Sequence, residues 1–411
     1  MIIKQKHTIR IFLFPFGFWV SFLILLMNSQ IFLGQAGNPI GIDGVQESFY
    51  MFLLAWMVVS LYKQQRSTGA VRKLDFYVLA LTFLPLIYGS VAAKLTYGQP
   101  LLFGFIEERR LLALLVYFPV RTMLDRGWVD MTKFETLVIT VAVICALLAI
   151  GVKIGVVPGF NEIRSSEIAL RESRISIGGN TVGIGIAILI GRKKKETDRF
   201  GLVWASILVG TILLVFQTRQ VILASAVATA FVLRGARAAY LIFAVSFAFY
   251  LAILFLPGFD EKVALIGTIF GEAVSSEYLS QSWRAMSYAH VLETLRQGEI
   301  WGHGSLSPMW NEGFGTIIGQ YFYLADIGIM GTLFRYGLPG LFLYLCYLIL
   351  QCRILLSLRD RQRRALYGGL FLFLIVGLPV AAPLEYGGYI AGLILGVTGF
   401  LIQAQQNRSH S

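Results

Sequence analysis

Histidine and cysteine are scarce in this chain, with four and three residues respectively among 411. The cysteines, Cys145, Cys346 and Cys352, all fall in or beside apolar stretches, so neither a disulfide framework nor a thiolate metal site is expected. No histidines and carboxylates stand at a metal-ligand spacing, and no metal or other cofactor is expected. Charge is also sparse: 14% of residues are Asp, Glu, Lys or Arg against 56% apolar, too little polar surface to cover a soluble core of this size. Internal repeats and low-complexity tracts are missing, which excludes solenoids and linker-rich chains. The remaining class is an all-α integral membrane protein, because helices satisfy their own backbone groups in hydrocarbon.

A helix crosses the hydrocarbon core in about 17–25 residues. Twelve apolar stretches are read as spans, near residues 11–33, 48–62, 74–93, 105–120, 134–157, 175–191, 200–217, 219–233, 238–257, 326–350, 366–384 and 388–404. The fourth is interrupted at its start by Glu107, Glu108, Arg109 and Arg110, and the eighth is short. The first is longer than a signal-peptide core and lacks a small-residue cleavage pattern, so it is expected to be a retained span.

Orientation follows from the basic residues of the connecting segments. With the N-terminus cytoplasmic, 23 of the 35 lysines and arginines fall in cytoplasmic segments, which predicts both termini inside. The formal charge of +12 then reflects loops facing anionic lipid rather than a nucleic-acid surface. The whole chain, 1–411, reads as one polytopic domain with a single large outer insertion at 258–325, between the ninth and tenth spans. That insertion carries seven acidic and three basic residues. Within it, residues 282–297 have helix logic: Ser280 or Ser282 can cap, Glu293 and Arg296 lie three apart, and Gly298 stops the helix. One face carries Arg284, Tyr288, Val291 and Leu295, the other Trp283, Met286, His290 and Glu293.

Arginines at membrane depth persist by pairing or by lining a watery cavity. Arg171, Arg174, Arg219 and Arg284 map to the outer side, where basic residues are disfavoured, and Arg335 lies within the tenth span. Each either snorkels to headgroups, pairs with Glu107, Glu108, Glu167 or Glu172, or binds an anionic ligand such as a lipid-linked diphosphate. For Arg219 the ligand reading is favoured, since the turn between its spans leaves almost no solvated loop. His303, between Gly302 and Gly304, is either a general base or a hydrogen-bonded loop residue, and His290 reads as packing. Trp301 and Tyr323 are either sugar platforms or interfacial aromatics. Asp326, at the start of the tenth span, offers a base or an arginine partner. By charge alone an anion transporter is equally allowed.

Four short motifs on this topology resemble the O-antigen polymerase and O-antigen ligase superfamily. They are Arg174 with Gly178-Gly179-Asn180; Thr218-Arg219 before a small-residue helix; Arg284 in a helix running into Gly302-His303-Gly304; and Asp326-x-Gly328-x-x-Gly331. The resemblance covers most of the chain by topology and about a fifth of it by motif. It implies a GT-C-like membrane glycosyltransferase that needs neither nucleotide sugar nor metal. Such an enzyme joins undecaprenyl-diphosphate-linked oligosaccharides into O-antigen or a related surface polysaccharide at the periplasmic face of the bacterial inner membrane. Arg219 and Arg284 would bind the donor diphosphate and stabilise the leaving group, with His303 or Asp326 as base. Arg171, Arg174, Asn180, Tyr288, Trp301 and Tyr323 would complete the substrate site. A polysaccharide chain-length regulator is a candidate partner. The ligase branch carries a histidine shortly before its acidic-x-Gly element; "FGTIIGQYFYLADIG" has none, which favours repeat-unit polymerisation over transfer to lipid A-core. A transporter or flippase of an anionic lipid-linked sugar is the alternative of a different class.

Overall fold

The structure, a computed structural model, describes residues 10–11, 14–33, 38, 40–68, 72–158, 175, 177–192, 199–216, 218–234, 286–319, 322, 324, 327–378 and 383–410. Apart from a short antiparallel pairing of Arg10–Ile11 with Phe14–Pro15, its regular elements are helices. In chain order these are α1 (Phe16–Asn28), α2 (Val45–Thr68), α3 (Lys73–Tyr97), α4 (Leu101–Glu108), a 3-10 segment (Arg109–Val116), α5 (Tyr117–Asp125), α6 (Met131–Lys153), α7 (Gly179–Gly191) and α8 (Arg199–Thr211). A π-helical turn (Ile212–Phe216) and α9 (Arg219–Arg234) follow. Beyond these come α10 (286–296), α11 (Phe314–Ile317), α12 (Gly328–Ser357), α13 (Arg361–Val376) and α14 (Pro383–His410).

Every expected span except 238–257, which lies outside the described residues, overlaps one of these helices. Among the described residues five helices are by themselves long and apolar enough to cross a membrane: Val45–Arg66, Lys73–Tyr97, Met131–Lys153, Gly328–Ser357 and Leu384–Asn407. The chain is thus a helical membrane-embedded protein. The helix ends follow local chemistry. Asp130 caps α6 by accepting from the Lys133 N–H at 2.8 Å, and Asp360 caps α13 by accepting from Gln362 N–H at 2.9 Å. Gly98, at φ 77°, ends α3 by returning its N–H to the Lys94 carbonyl.

The expected fourth span, 105–120, is not one helix. It is α4, the 3-10 segment and α5 in series, and the eight residues of 3-10 geometry are long for that form. Its backbone is held by α14, whose glycines recur at four-residue spacing on one face, Gly388, Gly392 and Gly396. A side-chain carbon at Gly392 would collide with the Leu114 carbonyl, and one at Gly396 would come within 3.0 Å of Val120. Small residues at this spacing let two backbones touch, the usual route to tight helix packing in lipid. Around this axis α6, α7, α9, α13 and α14 pack successively against one another, and α3 packs on α12.

Of the expected helix at 282–297, residues 286–296 are helical and 282–285 lie outside the described residues. Gly298 stops it at φ 88°, and Arg296 lies 3.8 Å from Glu293, both exposed. Val291 is fully buried in a small separate core with Leu306, Phe314, Leu324, Ile327 and Phe334, flanked by Tyr288 and Leu295. Met286 and Glu293 are exposed. His290 does not share their exposure: its ring packs edge-on to Phe322 at 5.3 Å and tilted to Phe334 at 5.9 Å.

Candidate functional site

The site begins with a break in a spanning helix. Inside α12, Gly337 takes φ 60°, ψ −157°, and Pro339 two residues on lacks an N–H, so the helical ladder is interrupted. Backbone groups freed at such a break must find partners. The loop after α10 supplies them. Ile300 O accepts from Leu338 N–H, His303 N–H donates to Phe334 O, and Gly304 N–H donates to Arg335 O, each at 2.8 Å. The Gly-His-Gly sequence has a steric reason: Gly302 and Gly304 have φ of 80° and 82°. A side-chain carbon at Gly302 would lie 2.7 Å from the Arg335 carbonyl, and one at Gly304 would collide with the Ala92–Ala93 backbone of α3.

The loop continues along α3 and closes over a buried ionic cluster. Ser305 N–H donates to Gly89 O at 2.9 Å, while Gln99, fully buried, donates to Ser305 O at 3.0 Å and accepts from Ser307 N–H at 2.7 Å. The Ser305 hydroxyl donates to Glu108, the last residue of α4, and so does the Tyr336 hydroxyl. The Arg335 guanidinium lies 2.6 Å from Glu385 in the first turn of α14, 3.3 Å from Glu108 and 3.6 Å from Glu107. Three carboxylates thus surround one guanidinium, and Glu108 is 1% exposed and Arg335 7%. Among the described residues the buried Arg335 Nε has no hydrogen-bond partner. At the margin Arg110 stacks over the Tyr386 ring at 4.8 Å, and Arg109 lies 3.1 Å from Glu47.

His303 stands beside this cluster, its ring stacked on Phe334 with centroids 4.4 Å apart and offset from Tyr97 at 6.3 Å. Nε2 is 2.8 Å from a Glu299 carboxylate oxygen, a close contact off the axis of a good hydrogen bond. Burial lowers the imidazole pKa from its ordinary value, outweighing the opposing pull of Glu299, and nearby His290 adds to the lowering. The imidazole is therefore neutral near pH 7 and able to accept a proton.

Of the other residues expected in the site, Asn180 lies in the first turn of α7 and hydrogen-bonds Tyr389, one turn beyond Glu385 on α14. Tyr288 packs at the margin of the small loop core. Trp301 is 68% exposed, and its carbonyl accepts from the Tyr88 hydroxyl at 2.6 Å. Arg219 opens α9 directly after the π turn and Thr218, matching the expected tight connection; its side chain lies outside the described residues. Arg171, Arg174, Arg284, Tyr323 and Asp326 also lie outside them. In the motif that contains Asp326, Gly328 takes φ 53°, and a side-chain carbon at Gly331 would collide with the Leu324 carbonyl.

Sequence reasoning reached Arg335, Glu107 and Glu108 only as possible partners, and their pairing is the alternative that holds for Arg335. It missed Glu385 and Tyr336. A carboxylate in the first turn of an otherwise apolar span, "PLEYGGYIAGLILG", was the available signal for Glu385.

Several expected motif segments meet at one end of the bundle. Gly179 faces the Phe216 ring across the α7–π-turn contact, and Gln220, next to Arg219, abuts Gly377 at the end of α13. The adjacent Leu378 carbonyl accepts from Ile329 N–H at 2.9 Å, at the start of α12. Comparison with known protein families, with curated proteins and with solved structures finds no match.

Proposed function

We propose that the chain is a membrane glycosyltransferase that polymerises undecaprenyl-diphosphate-linked oligosaccharide repeats at the periplasmic face of a bacterial inner membrane. It would have twelve spans, both termini cytoplasmic and a GT-C-like arrangement. The observation that carries this reading is the convergence, at one end of the bundle, of the starts of α7, α9 and α12 with the Gly-His-Gly loop. These are the segments bearing the Asn180, Arg219, Asp326 and His303 motifs.

In this reading the acceptor sugar hydroxyl attacks the anomeric carbon of the donor chain. The bond from that carbon to the diphosphate oxygen breaks, and the lipid diphosphate leaves with the bonding electrons. Arg219 and Arg284 meet the charge that develops on it, a task that favours fixed bidentate donors. His303 takes the acceptor proton: it is neutral and held by a stacked ring. The Arg335 cluster keeps the loop seated. Arg219→Ala and Arg284→Ala should each abolish chain extension by protein reconstituted with lipid-linked repeats, at unchanged membrane levels. Lysine should rescue poorly, because it cannot donate in a fork. Full-length polymer from both alanine variants would reject the diphosphate role.

A second reading, ion-coupled transport of an anionic lipid-linked sugar, draws support from the excess of carboxylates over guanidinium in the buried cluster. Proteoliposomes separate the two: a polymerase lengthens the lipid-linked chain on its own leaflet, whereas a transporter moves unextended repeats across.

A further inference from the structure

At the far end of α3 from the Arg335 cluster lies a cleft of about 520 Å³ between α2, α3 and α5. One wall is apolar, formed by Phe52, Trp56 and Val59 of α2 with Phe118 of α5. Phe52 and Val59 are 39% and 51% exposed, so this wall continues onto the flank that α2 turns toward lipid. The other wall is cationic and carries Lys63, Arg72, Arg121 and Arg126 against a single lining carboxylate, Asp125.

The cations are not equivalent. Arg121, buried on the floor, is fixed by the fully buried Asp75 and by Asp125 at 3.4 Å. Arg72 lies 3.4 Å from Asp125 and donates to Gln403 of α14 at 2.6 Å. Arg126 is positioned over the Trp128 ring at 5.6 Å. Lys63 and Arg126 face no carboxylate among the described residues. Counting Asp75 behind Arg121, four cations meet two carboxylates, and the surplus of about two positive charges sits at the lip of an apolar trough.

We propose that this cleft is a binding site for a bilayer phospholipid whose head carries two negative charges. Its phosphate would lie against Lys63, Arg72 and Arg126, with one acyl chain along Phe52, Trp56 and Val59. A guanidinium pair and an ammonium complement a dianionic head, and the apolar wall gives the chain a place that a free anion would leave empty. All four cations belong to the segments expected to be cytoplasmic, where anionic lipid is encountered. This site is independent of the proposed glycosyl transfer, which is assigned to the other end of the bundle.

The test is lipid binding to full-length protein in detergent, read by native mass spectrometry. The probes are dioleoyl phosphatidic acid, dioleoyl phosphatidylcholine and inorganic diphosphate. Phosphatidic acid should be retained in preference to phosphatidylcholine, and Lys63→Ala with Arg126→Ala should weaken it by about tenfold or more. Both positions are exposed, which keeps the fold out of the comparison. Val59→Asp, which places a negative charge on the apolar wall, should also weaken it. Equal retention of phosphatidylcholine, or unchanged binding by the double variant, would overturn the site. Inorganic diphosphate competing as well as the lipid, with Val59→Asp lowering neither, would overturn the acyl part and reduce the cleft to an anion site.

Discussion

The two ends of α3 carry the same three ingredients, an arginine, a buried carboxylate and a tyrosine hydroxyl, in opposite settings. At one end Arg121 meets Asp75, which also accepts from the Tyr117 hydroxyl at 2.7 Å, and the group opens onto a cation-rich cleft. At the other, Arg335 meets three carboxylates and Tyr336 beneath a loop that closes on it by backbone hydrogen bonds. Asp75 and Gly89, one at each cluster, are fourteen residues apart on α3, about 21 Å of helix. The difference lies in the net charge and in access to water. An ion group with surplus cations and an open side suits an anionic ligand from outside. One with surplus carboxylates and a lid suits holding the lid, or holding a proton.

Three experiments press on this contrast. Arg335→Met should cost most, about 3–5 kcal/mol, because it leaves three carboxylates, two of them buried, without their guanidinium. Arg121→Met should cost less, since Arg72 remains near Asp125 and the cleft admits water. Thermal denaturation of the two variants in one detergent decides it, and a larger loss for Arg121→Met would reverse the assignment of sealed and open ends. Next in size is Gly302→Ala, expected at about 2–4 kcal/mol because a positive φ and a backbone collision act together. Gly98→Ala serves as the control, with φ 77° but open space around it, and should lose only about 1 kcal/mol. Equal losses would mean that the loop does not seat on the helix break.

The smallest effect concerns pH. Burial depresses the His303 pKa, so its contribution to stability is fully present above the ordinary histidine value of about 6.5. That contribution falls as the pH drops below this toward the lowered folded value, because the unfolded chain takes up the proton first. The native protein should therefore lose more melting temperature between pH 7.5 and pH 5 than His303→Phe, which keeps the stack on Phe334 and cannot titrate. Identical pH profiles would remove the buried imidazole as the cause.

Periodicity and hydropathy made the helical membrane class legible, together with the positions of most helices, because spans are set by length and composition. The stop at Gly298 was legible for the same local reasons, as was the division of the 286–296 helix into two faces, though not which of them is buried. The fourth span was marked only by the charges at its start; its 3-10 segment was not legible, since it lies against the α14 glycines, a tertiary contact. Nor was the role of Gly302 and Gly304, which the sequence offers only as neighbours of a loop histidine. They are required because one backbone lies on another. The Arg335 cluster joins residues 107, 108, 335, 336 and 385, and no local pattern reports a meeting across that distance.

The 3-10 segment has a consequence for phase. A continuous α-helix from Glu108 to Arg121 would turn about 220° modulo a full circle at about 100° per residue, setting the two side chains on nearly opposite sides. With eight of those thirteen steps taken at about 120°, the residual is about 20°. On a common axis, tighter winding would therefore act as an angular vernier, bringing the carboxylate of one ion group and the arginine of the other onto one flank. A change of winding in this stretch would swing one of them away from its partners without either being mutated.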